Sequence, residues 1–284
     1  MKALIASIEE VFREAAARWT LVAYFALSSL FILIFASAVN LDIVNGALAG
    51  ARLFGQSVDL GGRSVDMDKL VLGFESGFSG FLYLIGTFLA LFATAHLVPR
   101  LQEKGTIDLY LSRPVGRVPL LLSRYLAGLL LAAANLVYLI GAMWAIVVWK
   151  TRVLHPRFLL SGAVILFTFG ALLAFAFLVG VVTSSTGVSL MATYALFFLG
   201  AVMAAHDRIA AAVSTEASAR VVQGLYWLLP KTAELGQATV ALVAGKEAPE
   251  RLADFSALGV YGSTALFALA SLSLASWIFS RKDF

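Results

Sequence analysis

Residues 98–128 read VPRLQEKGTIDLYLSRPVGRVPLLLSRYLAG, and they join two long apolar stretches. This connection carries five Lys or Arg, two acids, three Pro and three Gly. Pro99 ends or kinks the apolar segment before it, and Leu101–Lys104 continue as a helix out of it. Gly105 breaks that helix, and Thr106 can cap a short one over 106–112. Arg113-Pro114 stops it, because a residue before proline avoids the α region. Pro119 suits the first turn of the next helix, predicted over 118–149. Such a helix is about 45 Å long against a hydrocarbon core of about 30 Å, so its first turns, with Arg117 and Arg124, are expected in water. The stretch thus predicts a stiff, protruding hairpin that bears a short helix rich in Ile107, Leu109 and Leu111.

The rest of the chain says what the hairpin protrudes from. Of 284 residues, 61% are hydrophobic and 13% charged, with a mean hydropathy of +0.90. A soluble domain is nearer half apolar and a quarter charged, so this is an integral membrane protein. The net charge of +4 suits span ends beside anionic lipid, and no long basic run points to nucleic acid. There is no cysteine, which removes disulfides, thiolate nucleophiles and Cys metal sites. The three histidines, His96, His155 and His206, are far apart in sequence.

Six apolar windows of spanning length follow: 19–39, 76–98, 125–149, 158–182, 187–205 and 256–279. All six prolines fall at or beyond their ends. Residues 1–18 are different. Leu4, Ile8, Val11, Phe12 and Ala15 line one helical face, and Glu9–Arg13 and Glu14–Arg18 pair on the other. An amphipathic helix lying in the membrane interface is expected there. Ala36-Ser37-Ala38 resembles a signal cleavage site, but three acids precede it, which secretory leaders avoid. The fold expected is all-α: residues 19–284 form a single six-helix membrane domain. The 99–124 connection is on the cytoplasmic side and long loops 40–75 and 206–255 are outside. Both termini are placed in the cytoplasm by the five positives of 99–124 and by Arg281 and Lys282 after the last span. In loop 206–255, two short helical patterns meet at Pro230; each is too short to cross, and they can dip partway into the outer leaflet, cap the dimer from outside or form an irregular surface loop.

Within these windows the only ionisable side chain other than Tyr is His96, and Asn135 is the strongest neutral polar group. An intramembrane charge costs about 2.5–3.5 kcal/mol, so proton- or ion-driven carriers keep one only where function demands it. Asn135 is expected to hydrogen-bond a neighbouring helix. His155 and His206 are expected as solvated loop residues. Neither H-E-x-x-H nor G-x-S-x-G occurs, and Gly245-Lys246-Glu247 lacks the frame of a phosphate-binding loop. No catalytic, cofactor-binding or metal-binding residue is expected, so energy for any uphill transport must come from another subunit. Small residues, Gly170/Ala174, Ala176/Gly180 and Ser271/Ala275, fit close packing against a second copy or filling within one subunit, the latter preferred.

The segment EKGTIDLYLSRPVGRVPLLLSRYLAG resembles the conserved block of type-2 ATP-binding-cassette permeases: an acid, Gly-Thr, an acidic Leu-rich turn, Ser/Thr-x-Pro and a basic start to the third span. Glu103, Gly105, Thr106, Asp108, Leu109, Leu111, Ser112, Pro114 and Arg117 match. The surface helix, six spans, extended loop before the last span and FSRKDF ending match as well. The resemblance implies a permease subunit of a bacterial inner-membrane transporter, an exporter, paired with a second permease copy and with two cytosolic ATPase subunits that hold ATP and magnesium. It implies that residues 101–114 couple to the ATPase: Ile107, Leu109 and Leu111 fill a cleft while Glu103 and Arg113 make charge pairs at its rim. A second possibility is a scaffold whose ATPase works mechanically on a partner outside the membrane.

Overall fold

The computed structural model describes residues 19–44, 47–53, 56–58, 65–102, 116–212, 215–248 and 257–282. The expected surface helix, residues 1–18, and the segment 103–115 lie outside the described residues. Among the described residues five helices are long and apolar enough to cross a membrane. They are Asp68–Leu101, Arg117–Thr151, Arg157–Thr183, Thr186–Met203 and Leu258–Arg281. A further helix, α1 (Trp19–Ala38), contains the shorter apolar stretch Val22–Ser37.

The chain then makes a small antiparallel sheet: β1 (Val39–Val44), β2 (Ala47–Leu53), β3 (Gln56–Val58) and β4 (Val65–Asp66). Strand β2 is central, with β1 on one edge and β3 and β4 sharing the other. The spanning elements are helical, as expected, and these short strands lie within residues 39–66, in the stretch expected as a loop. Val39, Leu41 and Ile43 alternate with Asn40 and Asp42, a period of two that a helix cannot use.

The second apolar segment begins earlier than its hydropathy suggests. It runs as α2 (Met67–Phe81), one π-helical stretch (Leu82–Gly86), α3 (Thr87–Thr94) and α4 (Leu97–Leu101). The break at Ala95–His96 has a simple cause: Pro99 carries no N–H to give the carbonyl of Ala95. Helix α5 (Arg117–Thr151) is 35 residues long, longer than its predicted extent at both ends.

Helix α6 (Arg157–Thr183) is the axle of the bundle. Its apolar window is 72% buried, against 22% for the last span. Phe158, Ile165, Phe169, Leu172, Leu173 and Phe177 are fully buried along it. A helix apolar on every side is stable in this position because neighbours or lipid cover every face. Gly170, Ala174, Ala176 and Gly180 are buried inside the chain, as are Ser271 and Ala275, so these small residues fill the core of one subunit. Asn135 meets its expected partner, since Ser28 Oγ donates to Asn135 Oδ1 at 3.0 Å between α1 and α5.

After α7 (Thr186–Met203) come α8 (His206–Ala212), α9 (Glu216–Leu228) and α10 (Thr232–Ala244), then α11 (Ala257–Arg281). Helices α9 and α10 form a hairpin that dips into the bundle. Helix α9 buries none of its residues, whereas α10 buries Thr232, Leu235, Ala238, Thr239 and Val243 between α2 and α6. Its tip, Pro230–Lys231, reaches Gly200 of α7 and Thr264 of α11. Thr264 lies seven residues into α11, about 10 Å along its axis.

Candidate functional site

The sequence-predicted residues Glu103, Gly105, Thr106, Ile107, Asp108, Leu109, Leu111, Ser112, Arg113 and Pro114 all lie outside the described residues. Both stems of that segment are described, and both are fastened to the same place. On the incoming side, Gln102 Nε2 donates to the carbonyl of Gly180 at 2.9 Å. Ser184 Oγ donates to Gln102 Oε1 at 3.0 Å, and Lys282 Nζ donates to the same oxygen at 2.6 Å. On the outgoing side, Arg117 Nη1 donates to the carbonyls of Lys282 at 2.7 Å and Ser280 at 3.3 Å.

The arrangement follows from how helices end. The last carbonyls of a helix have no partner within it and carry partial negative charge, so cations settle there. Lys282 Nζ also donates to Val181 O at 2.8 Å and Ser184 Oγ at 2.9 Å, at the end of α6. Arg117 does the same for α11 with the carbonyls given above. Burial among these groups pushes the Lys282 ammonium pKa below its ordinary value. Ser184 closes α6 in the left-handed region, φ 52°, a conformation uncommon outside glycine and supported here by its two side-chain hydrogen bonds. Pro99 and Val98 pack against Gly180, 3.4–3.5 Å from where a Cβ would stand. The ends of α4, α6 and α11 and the start of α5 are thus linked through Gln102, Arg117 and Lys282.

Arg124 corrects one expectation. It is 4% exposed, not solvated, although it lies only seven residues into α5. The bundle continues around the first turns of this helix instead of leaving them bare, and Leu120, Leu121 and Ser123 are buried beside it.

The opposite end of the bundle holds two polar clusters that hydropathy did not announce. Glu75 is fully buried within the Asp68–Leu101 helix, because that helix starts before residue 76. His155, expected in solvent, has Nδ1 at 3.0 Å from Glu75 Oε2 and Nε2 at 3.3 Å from Asp68 Oδ1. The imidazole is held in the turn between α5 and α6, where Arg152 in the left-handed region, φ 61°, redirects the chain. A signal was present: Asp68, Val71 and Glu75 lie at helical spacing with Phe78 and Leu82, so the face continues before the apolar window.

The second cluster sits at the hairpin tip. Lys231 is 2% exposed. Its ammonium donates to the carbonyls of Tyr226 and Leu229 and lies 3.4 Å from the Tyr226 ring centroid. His206, also expected in solvent, stacks on the same ring at 3.6 Å and 11°. Burial lowers the Lys231 pKa to about 8 against the pull of Glu234, and it raises that of Tyr226 to about 12 with help from Glu234. Single histidines and lysines in a loop carry no periodic signal, so their burial was not legible.

No curated protein matches the chain closely enough to count as a relative. The family model described as ABC-2 family transporter protein matches residues 8–284, which is nearly the whole sequence and includes the segment from Glu103 to Gly128. With its several apolar helices, the chain belongs to the ABC-2 family of transporter membrane proteins and is a transmembrane permease.

Proposed function

We propose that the chain is the membrane subunit of a bacterial inner-membrane exporter with six spans and both termini in the cytoplasm. Two cytosolic ATPase subunits, which hold ATP and magnesium, dock on residues 101–114, and a second permease copy completes the path. The observation that carries this reading is the fastening of both stems of 103–115. A free loop needs no such anchorage, whereas a segment that receives force must pass it to the spans. Through Gln102 and Arg117 the segment is tied at once to α4, α5, α6 and α11. A push on it therefore moves the second, third, fourth and last spans together.

Ile107, Leu109 and Leu111 supply the apolar anchor to the ATPase cleft, with Glu103 and Arg113 at its rim. Gly105, Thr106, Asp108, Ser112 and Pro114 complete the proposed coupling segment. The test is co-purification with the proposed nucleotide-binding subunit. Glu103→Ala and Leu109→Asp are expected to weaken association by about 2 kcal/mol, roughly thirtyfold, with the thermal stability of the permease unchanged. Undiminished co-purification of both variants would count against docking at this segment.

A further inference from the structure

We infer that Glu75 is a proton-binding site inside the bundle, reached from the end opposite the 103–115 segment through Asp68 and His155. Three observations carry this. Glu75 is 0% exposed within a helix of spanning length, where a carboxyl is costly to keep. Its Oε2 faces His155 at 3.0 Å, while its Oε1 is buried with no hydrogen-bond partner among the described residues. A carboxylate that satisfies one oxygen and strands the other is a poor resting anion and a ready proton acceptor. The chain of groups then leads outward. His155 is 18% exposed at its side chain and touches Asp68, which is 65% exposed, through its other ring nitrogen. A buried carboxyl that served packing alone would need no such line to water.

His155 and Asp68 are the charged groups that act on Glu75. On the neighbouring elements, Lys69 is 4.0 Å from Glu247, Lys150 donates to the carbonyl of Ala36, and Arg157 lies over Gly245. Glu234 acts on Lys231 and Tyr226, and Arg152 is exposed.

Proton transfer along this line balances simply. Begin with neutral His155, its Nδ1–H donating to Glu75 Oε2. A proton from water, by way of Asp68, is taken up at Nε2. The imidazolium then gives its Nδ1 proton to Glu75. The ring is left as the other neutral tautomer, and return of the proton or a ring flip restores it. Protonation of Glu75 replaces a charge-assisted hydrogen bond to Oε2 by a neutral one, so the proton loosens the hold of α2 on the turn between α5 and α6.

The site can be tested on the purified full chain in lipid nanodiscs, by infrared difference spectroscopy across a pH titration. This readout does not depend on whether an ATPase docks on 101–114. The carbonyl band of one protonated buried carboxylic acid is expected in the wild type and absent in Glu75→Gln. In His155→Gln, which keeps Glu75, the band is expected to appear on the order of a hundredfold more slowly after a pH jump. A band that persists in Glu75→Gln overturns the site, and a wild-type rate in His155→Gln overturns the route. The second measurement decides the question if Glu75→Gln fails to fold.

Discussion

Lys282 shows how much one side chain at a helix end can organise. It gives its three donors to Gln102 Oε1, Val181 O and Ser184 Oγ, at 2.6, 2.8 and 2.9 Å. Replacing it with Met keeps the stem and removes every donor. Hydrogen bonds to charged groups are worth about 1.5–3 kcal/mol each, and part of this is regained by water at a partly exposed position. Lys282→Met is therefore expected to cost about 2 kcal/mol in unfolding experiments. It should also raise hydrogen exchange in peptides covering 98–118 and 180–186 while leaving 232–244 unchanged. Lys231 makes the opposite case, a cation held where its charge is unwelcome. Its folded pKa of about 8 lies below the ordinary value of 10.5. Between these values the unfolded chain keeps a proton that the folded chain has released, so stability rises with pH through this window and is lost as pH falls towards 8. Thermal unfolding of the wild type from pH 7 to 10 should show that rise, and Lys231→Met should flatten it.

At the scale of elements, the second apolar segment is the most informative. Its π-helical stretch, Leu82–Gly86, shifts the register of the helix and turns Tyr83 into the bundle, where its hydroxyl donates to the carbonyl of Thr232. The same rod therefore grips the re-entrant hairpin at its middle, His155 at one end and the stem of 103–115 at the other. The hairpin has a second grip on α7, where Thr232 Oγ1 donates to Phe197 O at 2.8 Å. Gly200 makes this approach possible. A Cβ there would stand 2.8 Å from the carbonyl of Pro230 and 2.4 Å from Thr232 Oγ1. Backbone cannot step aside as a flexible side chain can, so Gly200→Ala is expected to cost about 1–3 kcal/mol. Exchange protection over 230–240 should fall with it. Gly245 has a different reason to be glycine: its φ is +59° and the Arg157 guanidinium fills the space a side chain would need.

At the scale of the molecule, the helices sort their polar ends into two sets. Gln102, Arg117, Ser184 and Lys282 meet at one end. Asp68, His155, Lys69 with Glu247, and Lys150 with Ala36 meet at the other. Because the chain has no cysteine, single cysteines can report this sidedness cleanly. A membrane-impermeant thiol reagent added to intact cells is expected to label Glu247→Cys and to spare Arg100→Cys until the membrane is opened. Labelling in the reverse order would invert the proposed topology. Trp149 and Trp277, which are exposed, mark the two ends, and Arg281 lies 4.5 Å over the ring of Trp277.

Sequence by itself determined what is set by solvent and by local backbone chemistry. Long apolar windows, prolines at their ends and the Gly-Thr to Ser-Arg-Pro block of 105–114 established a helical membrane protein and its family. The dip of the hairpin around Pro230 was one of three alternatives in the same pattern. Asn135 read correctly because a lone amide in an apolar helix must find a partner. Tertiary structure alone decided which polar groups are buried. Glu75, His155, His206, Arg124 and Lys231 lie at the edges of apolar windows or in loops, and average hydropathy there is compatible with water or with burial. Whether such a group is solvated depends on what other segments bring to it from far along the chain: His155 to Glu75 across 80 residues, Lys282 to Gln102 across 180. Hydrophobicity is a property of a stretch, whereas desolvation and hydrogen bonding belong to a place, and only the packed chain makes the place.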